Sequence, residues 1–223
     1  MEQSIISQVI RTKRRTLVLQ IMPDASLIIR APARASEGTI RQAVQNKMSW
    51  ILKKQRTARE TFRPPVKFVD GEEFLYLGER RKLLVVPGAS VPLVFNEKEF
   101  LLSGTHLPEA RRLFEEWYKE KAFEIIRDRI KQYAERTGLE YTKISVTSAR
   151  KRWGSCSLKG RLNFTWRLVM TPLAVVDYVI VHELVHLDEH NHSSRFWQKV
   201  RILLPNYLQA KRWLKNNHLL LNL

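Results

Sequence analysis

Residues 179–197, VIVHELVHLDEHNHSSRFW, place four histidines and three carboxylates among bulky apolar residues. Within this stretch His182, Glu183 and His186 form the pattern H-E-x-x-H. On a helix, residues four positions apart differ by about 40° around the axis and about 6 Å along it, so both imidazoles can reach one metal ion. The helix from Ala174 onward is apolar around most of its circumference, which predicts a buried core helix. Unpaired imidazoles and a carboxylate on such a helix would cost several kcal/mol, so the pattern requires a metal ion or a strong hydrogen-bond network, and we favour the metal site.

The residues after His186 contain the candidates for a third metal ligand. On an unbroken helix His190 lies about 12 Å beyond His182, too far to share an ion at bonds of about 2.1 Å. His192 can fold back if the helix stops near residues 187–189 and the chain reverses through Asn191, which tolerates left-handed backbone geometry. We therefore favour His192 as the third ligand. The alternatives, as ligands or as groups that support the ligands, are His190, Asp188 and Glu189.

This residue set predicts zinc-dependent hydrolysis. Glu183 lies beside the first ligand, where it can act as general base toward a zinc-activated water. Three imidazoles also suit nickel, copper or iron. In RKRWGSCS (150–157) Arg152 is a candidate catalytic residue that could stabilise an oxyanion or a substrate phosphate, or could simply pack. For Trp153, Gly154 and Cys156 we favour a packing role.

Composition limits the partners and the compartment. The 223 residues contain 39 Lys and Arg against 22 Asp and Glu, a net charge of +17. This excess, spread over both halves, indicates either a solvated basic surface or a footprint for nucleic acid or another polyanion. The single cysteine excludes an internal disulfide and a cysteine-built zinc site. No stretch looks like a secretory signal or a membrane span, so we expect a cytoplasmic protein without a membrane partner.

Hydrophobic periodicity predicts an α+β fold. The first half, 1–105, reads as β-rich with one helix: a hairpin ending at Pro32, a helix from Ser36 to about residue 60, and short strands thereafter. A composition shift near residue 105 separates it from a second region, 106–223. The elements predicted there are a long helix from Pro108 to about Gly138, two or three strands, a helix starting at Thr171-Pro172, and helices near 194–204 and 206–217.

The chain resembles the YgjP-like zinc metallopeptidases, relatives of the SprT-like proteins. The resemblance is carried by a series of segments in order: LIIRAP, KMSWILKKQ, DGEEFLYLG, KRWGSCSLKGRLNFTWRL, YVIVHELVHL and NHSSRFW. It implies a zincin-like C-terminal half in which the H-E-x-x-H helix packs on a small sheet. It further implies that His182, His186 and His192 bind Zn²⁺ and that Glu183 is the general base.

The substrate is left open by these residues. The leading hypothesis is a metallopeptidase acting on peptides or proteins. A second is a metal-dependent nucleoside triphosphate (UTP) pyrophosphatase, an activity also attached to the resembling family. A third is a nucleic-acid-associated protein, with or without protease activity, suggested by the net charge of +17.

Overall fold

The computed structural model describes residues 5–61, 66–217, 221 and 223. Its contacts divide the chain into two units, residues 1–64 and 65–223. The composition shift near residue 105 lies inside the second unit. There, Phe74 and Phe100, which precede that shift, share one buried cluster with Phe114 and Ile126, which follow it. Each unit is described by itself below.

The first unit is a three-stranded sheet with two helices. Its elements are β1 (Gln8–Thr12), β2 (Val18–Ile21), β3 (Leu27–Pro32), α1 (Glu37–Asn46) and α2 (Met48–Thr61). The strand order is β1-β3-β2, with β1 parallel and β2 antiparallel to β3. The antiparallel β2–β3 pair confirms the predicted hairpin, whereas β1 was not predicted.

The predicted single helix after Pro32 is two helices in the structure. Ser36 begins α1 as expected, because its side chain accepts a hydrogen bond from the Thr39 amide at 3.1 Å. The helix breaks at Lys47, whose backbone (φ −113°, ψ 12°) leaves the α region. Val44 before the break and Ile51 after it belong to one buried cluster, so the break still leaves both helices facing the same core.

The second unit opens with a four-stranded sheet and a long helix. These elements are β4 (Glu73–Tyr76), β5 (Glu79–Val86), β6 (Leu93–Phe95), β7 (Phe100–Ser103), a 3₁₀ helix (Gly104–Glu109) and α3 (Ala110–Thr137), with strand order β4-β5-β7-β6. Phe114 of α3 stacks on Phe74 of β4 with ring centroids 4.2 Å apart. Gly138 ends the helix in the left-handed conformation (φ 69°), which confirms the predicted stop.

The remaining elements form the layer that carries the H-E-x-x-H motif. They are β8 (Lys143–Thr147), β9 (Gly154–Cys156), β10 (Arg161–Thr165), a 3₁₀ helix (Trp166–Met170), α4 (Leu173–Val185), α5 (Ser194–Leu203) and α6 (Tyr207–Asn217). The strand order is β8-β10-β9, so β9 is an edge strand among the described residues. This arrangement confirms the predicted α+β fold, with its strand-rich first half.

Two contacts hold α4 in place. Asp177 of α4 is buried and accepts two hydrogen bonds from Arg129 of α3, each 2.6 Å long. Gly78 (φ 85°), in the turn between β4 and β5, lies so close to Pro172 that an added Cβ would come within 2.7 Å of the proline Cγ. The predicted start at Thr171-Pro172, with the threonine as cap and the proline as the first helical residue, was one residue early. In the structure α4 begins at Leu173, and the Thr171 hydroxyl donates to the Leu168 carbonyl at 2.7 Å and does not cap the helix.

A helix that crosses a bilayer needs about 20 predominantly apolar residues. Within the described part of the chain, no helix is both long enough and apolar enough to do so.

Candidate metal centre

Three histidine rings converge at the C-terminal end of α4. His182 lies in its last turn, His186 at its C-cap, and His192 in the segment before α5. The three ring centroids are 4.8 to 4.9 Å from one another. One nitrogen from each ring lies within 4.8 Å of the other two. Ligands at about 2.1 Å in a tetrahedral zinc site are about 3.4 Å apart, a spacing that lies within this 4.8 Å limit.

The chain turn after α4 carries His192 back to the helix end. Backbone amides of Asp188 and Glu189 donate to the Val185 carbonyl, which closes the helix. The Asn191 side chain then accepts a hydrogen bond from the Ser193 amide at 3.1 Å. The expected left-handed backbone at Asn191 was wrong, since Asn191 is not among the described residues with positive φ. Its side chain makes the turn instead, by bonding to the backbone two residues on.

The segment is then anchored through α5. Ser193 caps that helix by accepting a hydrogen bond from the Phe196 amide at 3.3 Å. The Phe196 ring is fully buried and lies 4.6 to 4.9 Å from the rings of His182, His186 and His192. The third histidine therefore depends on a packed helix and not on a free loop.

One hydrogen bond fixes which nitrogen of His186 is free to bind a metal ion. Its Nδ1 lies 2.9 Å from the Glu189 carbonyl oxygen. Because a carbonyl can only accept, Nδ1 carries the proton, and the lone pair is left on Nε2.

The alternative ligands point elsewhere. His190 is exposed, lies outside the three-histidine cluster, and bonds through Nδ1 to the His186 carbonyl at 3.1 Å. Glu189 pairs with Arg195 at 2.7 Å and with Lys199 at 2.8 Å. Asp188 also pairs with Lys199. These groups surround the turn and brace it.

The electrostatics favour neutral imidazoles, the form that binds metal ions. Burial, followed by the nearby positive charges of His186, His192 and Lys211, lowers the pKa of His182 to about 3. Burial is also the first cause of a lowered pKa at His192. The Nε2 atoms of His182 and His192 face each other at 3.0 Å. A bound cation would give both lone pairs a partner, so the residues present fit a zinc ion.

Glu183 is buried beside this cluster, with 6% of its surface exposed. The backbone amide of Cys156 in β9 donates a hydrogen bond to its side chain. Burial raises the pKa of Glu183 to about 7, although that amide and the positive charge of Arg152 act to lower it.

Gly154 of β9 makes room for this carboxylate, a role that the sequence analysis did not assign. A Cβ added there would lie 2.6 Å from Glu183 Cγ and 2.7 Å from its Oε1. A glycine inside a predicted strand is the signal that could have indicated such a close approach. Cys156, assigned to packing, contributes its amide to Glu183. Burial, together with the charge of Glu183, raises the pKa of its thiol.

The cluster opens into a cleft of about 390 Å³. One wall is formed by the three histidines, His190 and Glu183, and the other by residues 154–158 of β9 and the turn after it. Arg152 is exposed and does not line this cleft. It lines a neighbouring pocket together with Trp153, and its charge still acts on Glu183.

Comparison with known proteins identifies the family. Residues 15–217 match the family model described as YgjP-like, metallopeptidase domain. Because this match covers most of the chain, the protein belongs to the YgjP-like metallopeptidase family, and the earlier resemblance is confirmed. Membership supports a metal-dependent peptidase and implies a divalent metal ion. A search of curated proteins found no match.

The chain was also compared with solved structures. One similar structure is the crystal structure of the metallopeptidase zymogen of Pyrococcus abyssi abylysin. The two are 19% identical with a TM-score of 0.37, and the similarity covers 41% of this chain and 93% of that chain. At that score the similarity says nothing further about this chain.

Proposed function

We propose that this protein is a zinc-dependent peptidase in which His182, His186 and His192 hold the ion and Glu183 is the general base. The observation that carries the proposal is the convergence of three imidazoles next to a buried carboxylate. Membership of a metallopeptidase family supports it independently.

The chain's own residues supply position and proton transfer. When bound, zinc supplies Lewis-acid chemistry: it polarises a carbonyl and makes water a nucleophile near neutral pH. Glu183 accepts the proton of the attacking water and can return it to the leaving amine. The Cys156 amide and the close backbone of Gly154 hold its carboxylate in one place.

The edge strand β9 supports a peptide as substrate. It pairs with β10 on one side, and residues 154–156 also line the cleft. An extended peptide can add to such an edge through backbone hydrogen bonds, which brings a peptide carbonyl beside the histidines. This feature favours a peptide over a nucleotide.

Glu183→Gln tests the mechanism. The variant keeps the shape of the side chain but cannot accept the proton, so we expect turnover to fall by about 10² to 10⁴-fold while the zinc content is unchanged. Cleavage is measured by mass spectrometry on a mixed peptide library, and zinc by elemental analysis. Full activity in the variant would contradict the role of Glu183 as general base. A zinc-loaded wild type that cleaves no peptide in the library would contradict the proposed substrate class.

A second candidate function is hydrolysis of a nucleoside triphosphate such as UTP. One observation favours it: the pocket beside the cleft is lined by several cationic side chains, including Arg152. Phosphate or pyrophosphate release from UTP, lost in Glu183→Gln, would support this candidate. Absence of release from a nucleotide panel would remove it.

A further inference from the structure

A second pocket, of about 570 Å³, lies in the same unit as the histidine cleft. We call it the basic pocket, because its lining includes six cationic residues and no acidic one among the described residues. The cationic residues are Arg150, Lys151, Arg152, Arg167, Lys211 and Lys215. A concave site with one sign of charge concentrates ligands of the opposite sign.

Arg167 is the unusual member of this set, because only 6% of its surface is exposed. Its guanidinium stacks on Trp166 at 4.1 Å and donates a hydrogen bond to the Ser148 carbonyl at 3.2 Å. No carboxylate of the described residues forms an ion pair with it. The charge of Glu115 acts on it from a distance, but that carboxylate is paired with Lys119 at 3.0 Å.

A buried cation without a counter-ion is costly in a folded protein. Burial, together with the neighbouring charge of Arg150, lowers the pKa of Arg167. The other five cations are exposed and retain water, but Arg167 cannot be solvated in the same way. An anion that enters the basic pocket would relieve this cost.

The basic pocket adjoins the histidine cleft through shared elements. Tyr178 lines the pocket, and its ring centroid is 6.0 Å from that of His182. Lys211 lies 4.1 Å from the Trp197 ring, which in turn stacks on His192 at 5.7 Å. Along the chain, the pocket residue Arg152 is followed two positions later by Gly154, the first residue of β9.

We propose that the basic pocket is a specificity subsite that binds a carboxylate of the peptide substrate. This inference rests on the proposed peptidase function. A peptide extended along β9 advances about 3.3 Å per residue, so the group that enters the pocket belongs to a residue a few positions from the cleaved bond. It is an Asp or Glu side chain or the C-terminal carboxylate.

The depth of Arg167 favours a peptide carboxylate over a polynucleotide. A carboxylate on a flexible side chain can enter the pocket and accept two hydrogen bonds from a guanidinium. A nucleic-acid backbone contacts exposed cations along a surface, which does not require a buried one.

Binding is tested first, without turnover. A neutral nine-residue peptide is prepared in a series with one Glu moved along it, together with the matched Gln series. Affinity for zinc-loaded Glu183→Gln is measured by fluorescence anisotropy. We expect one or two positions at which the peptide with Glu binds at least about tenfold more tightly than the peptide with Gln. Equal gains at every position would indicate general attraction to a basic protein and would overturn the subsite.

Reversing a charge in the basic pocket tests whether the gain in affinity from Glu arises there. Arg150→Glu, in the same background, should remove the gain at those positions and favour Lys there instead. Arg201→Glu is the matched control, because it makes the same change at an exposed α5 residue outside the pocket lining. Arg167→Lys, which keeps the charge but loses the planar fork, should reduce the gain without reversing it. A gain that survives Arg150→Glu unchanged would overturn the proposal.

The remaining arms separate the sources of the anion. C-terminal amidation separates the two carboxylates. If a Glu side chain is the ligand, the gain at its position survives amidation; if the terminal carboxylate is the ligand, the Glu and Gln peptides bind alike and amidation weakens both. A single-stranded oligonucleotide and UTP are measured on the same variants. If Arg150→Glu weakens the binding of the oligonucleotide or of UTP but leaves the peptide gain unchanged, the pocket binds phosphate and the carboxylate proposal fails.

Cleavage distinguishes the subsite from the peptidase. If wild type cleaves the Glu and Gln peptides at equal rates, the subsite is overturned and the peptidase stands. Position-dependent binding without any cleavage would overturn the peptidase, and with it the role of the pocket in substrate specificity, while a carboxylate-binding pocket would stand.

Discussion

The two walls of the histidine cleft achieve their chemistry by different means. The wall formed by α4 and the turn after it presents side chains: three imidazoles and the carboxylate of Glu183. The wall formed by β9 contributes backbone: the Cys156 amide bonds to Glu183, and Gly154 has no side chain in the space that Glu183 occupies. The Glu183 carboxylate on one wall therefore needs a bare main chain on the other to hold it at a defined position.

The largest expected effect tests the side-chain wall. His192→Ala should weaken zinc binding by more than about a hundredfold, because it removes one of three ligands. His190→Ala is the matched control and should keep one zinc per chain, since that ring lies outside the cluster. Elemental mass spectrometry after mild chelation and zinc repletion measures both. The reverse pattern would transfer the third ligand to His190.

Gly154→Ala tests the backbone wall. The added methyl group would lie 2.6 to 2.9 Å from the Glu183 side chain, so the carboxylate must move. We expect kcat to fall by about a hundredfold with zinc content and KM little changed, since a displacement of about 1 Å can cost that much. The control is Gly38→Ala on α1, where the nearest atom to the new Cβ is 3.8 Å away. Equal kcat in the two variants would show that β9 does not position Glu183.

The smallest effect concerns the turn that delivers His192. Ser193→Ala removes the cap of α5 and should lower the free energy of unfolding by about 1 kcal/mol. It should also weaken zinc binding, because α5 anchors the segment that carries His192. Ser36→Ala removes the corresponding cap of α1 and should cost a similar free energy of unfolding without changing zinc affinity. Denaturant unfolding and metal titration compare the two. If both variants bind zinc as wild type does, the α5 cap is not coupled to the metal centre.

Much of the side-chain wall could be predicted from the sequence. The spacing of His182 and His186 fixes their shared face on a helix, and the apolar residues around them predict that the helix is buried. The return of His192 was predicted, but the means was wrong: an Asn191 side-chain hydrogen bond makes the turn, where a left-handed backbone was expected. Similarly, the helix after Ser36 was predicted, but its break at Lys47 was not, because both halves follow one hydrophobic period.

The backbone wall and the basic pocket could not be predicted in the same way. Gly154 and Glu183 are far apart in the chain, and their contact exists only because β9 packs beside α4. The basic pocket likewise joins residues near 150 with Arg167 and with Lys211 of α6. Charge clusters are visible in the sequence, but the burial of Arg167, and the absence of an ion pair between it and any carboxylate of the described residues, depend on packing.

By itself, the sequence determined the class of chemistry, because helical periodicity converts a five-residue pattern into a geometry without reference to the rest of the chain. It also determined the α+β class and the order of most elements, since local hydrophobic spacing specifies helix or strand. The tertiary structure decided which strand faces the histidines, which glycine leaves room for Glu183, and that Arg167 is buried among cations. These features arise from contacts between residues distant in sequence, and no local period encodes such contacts.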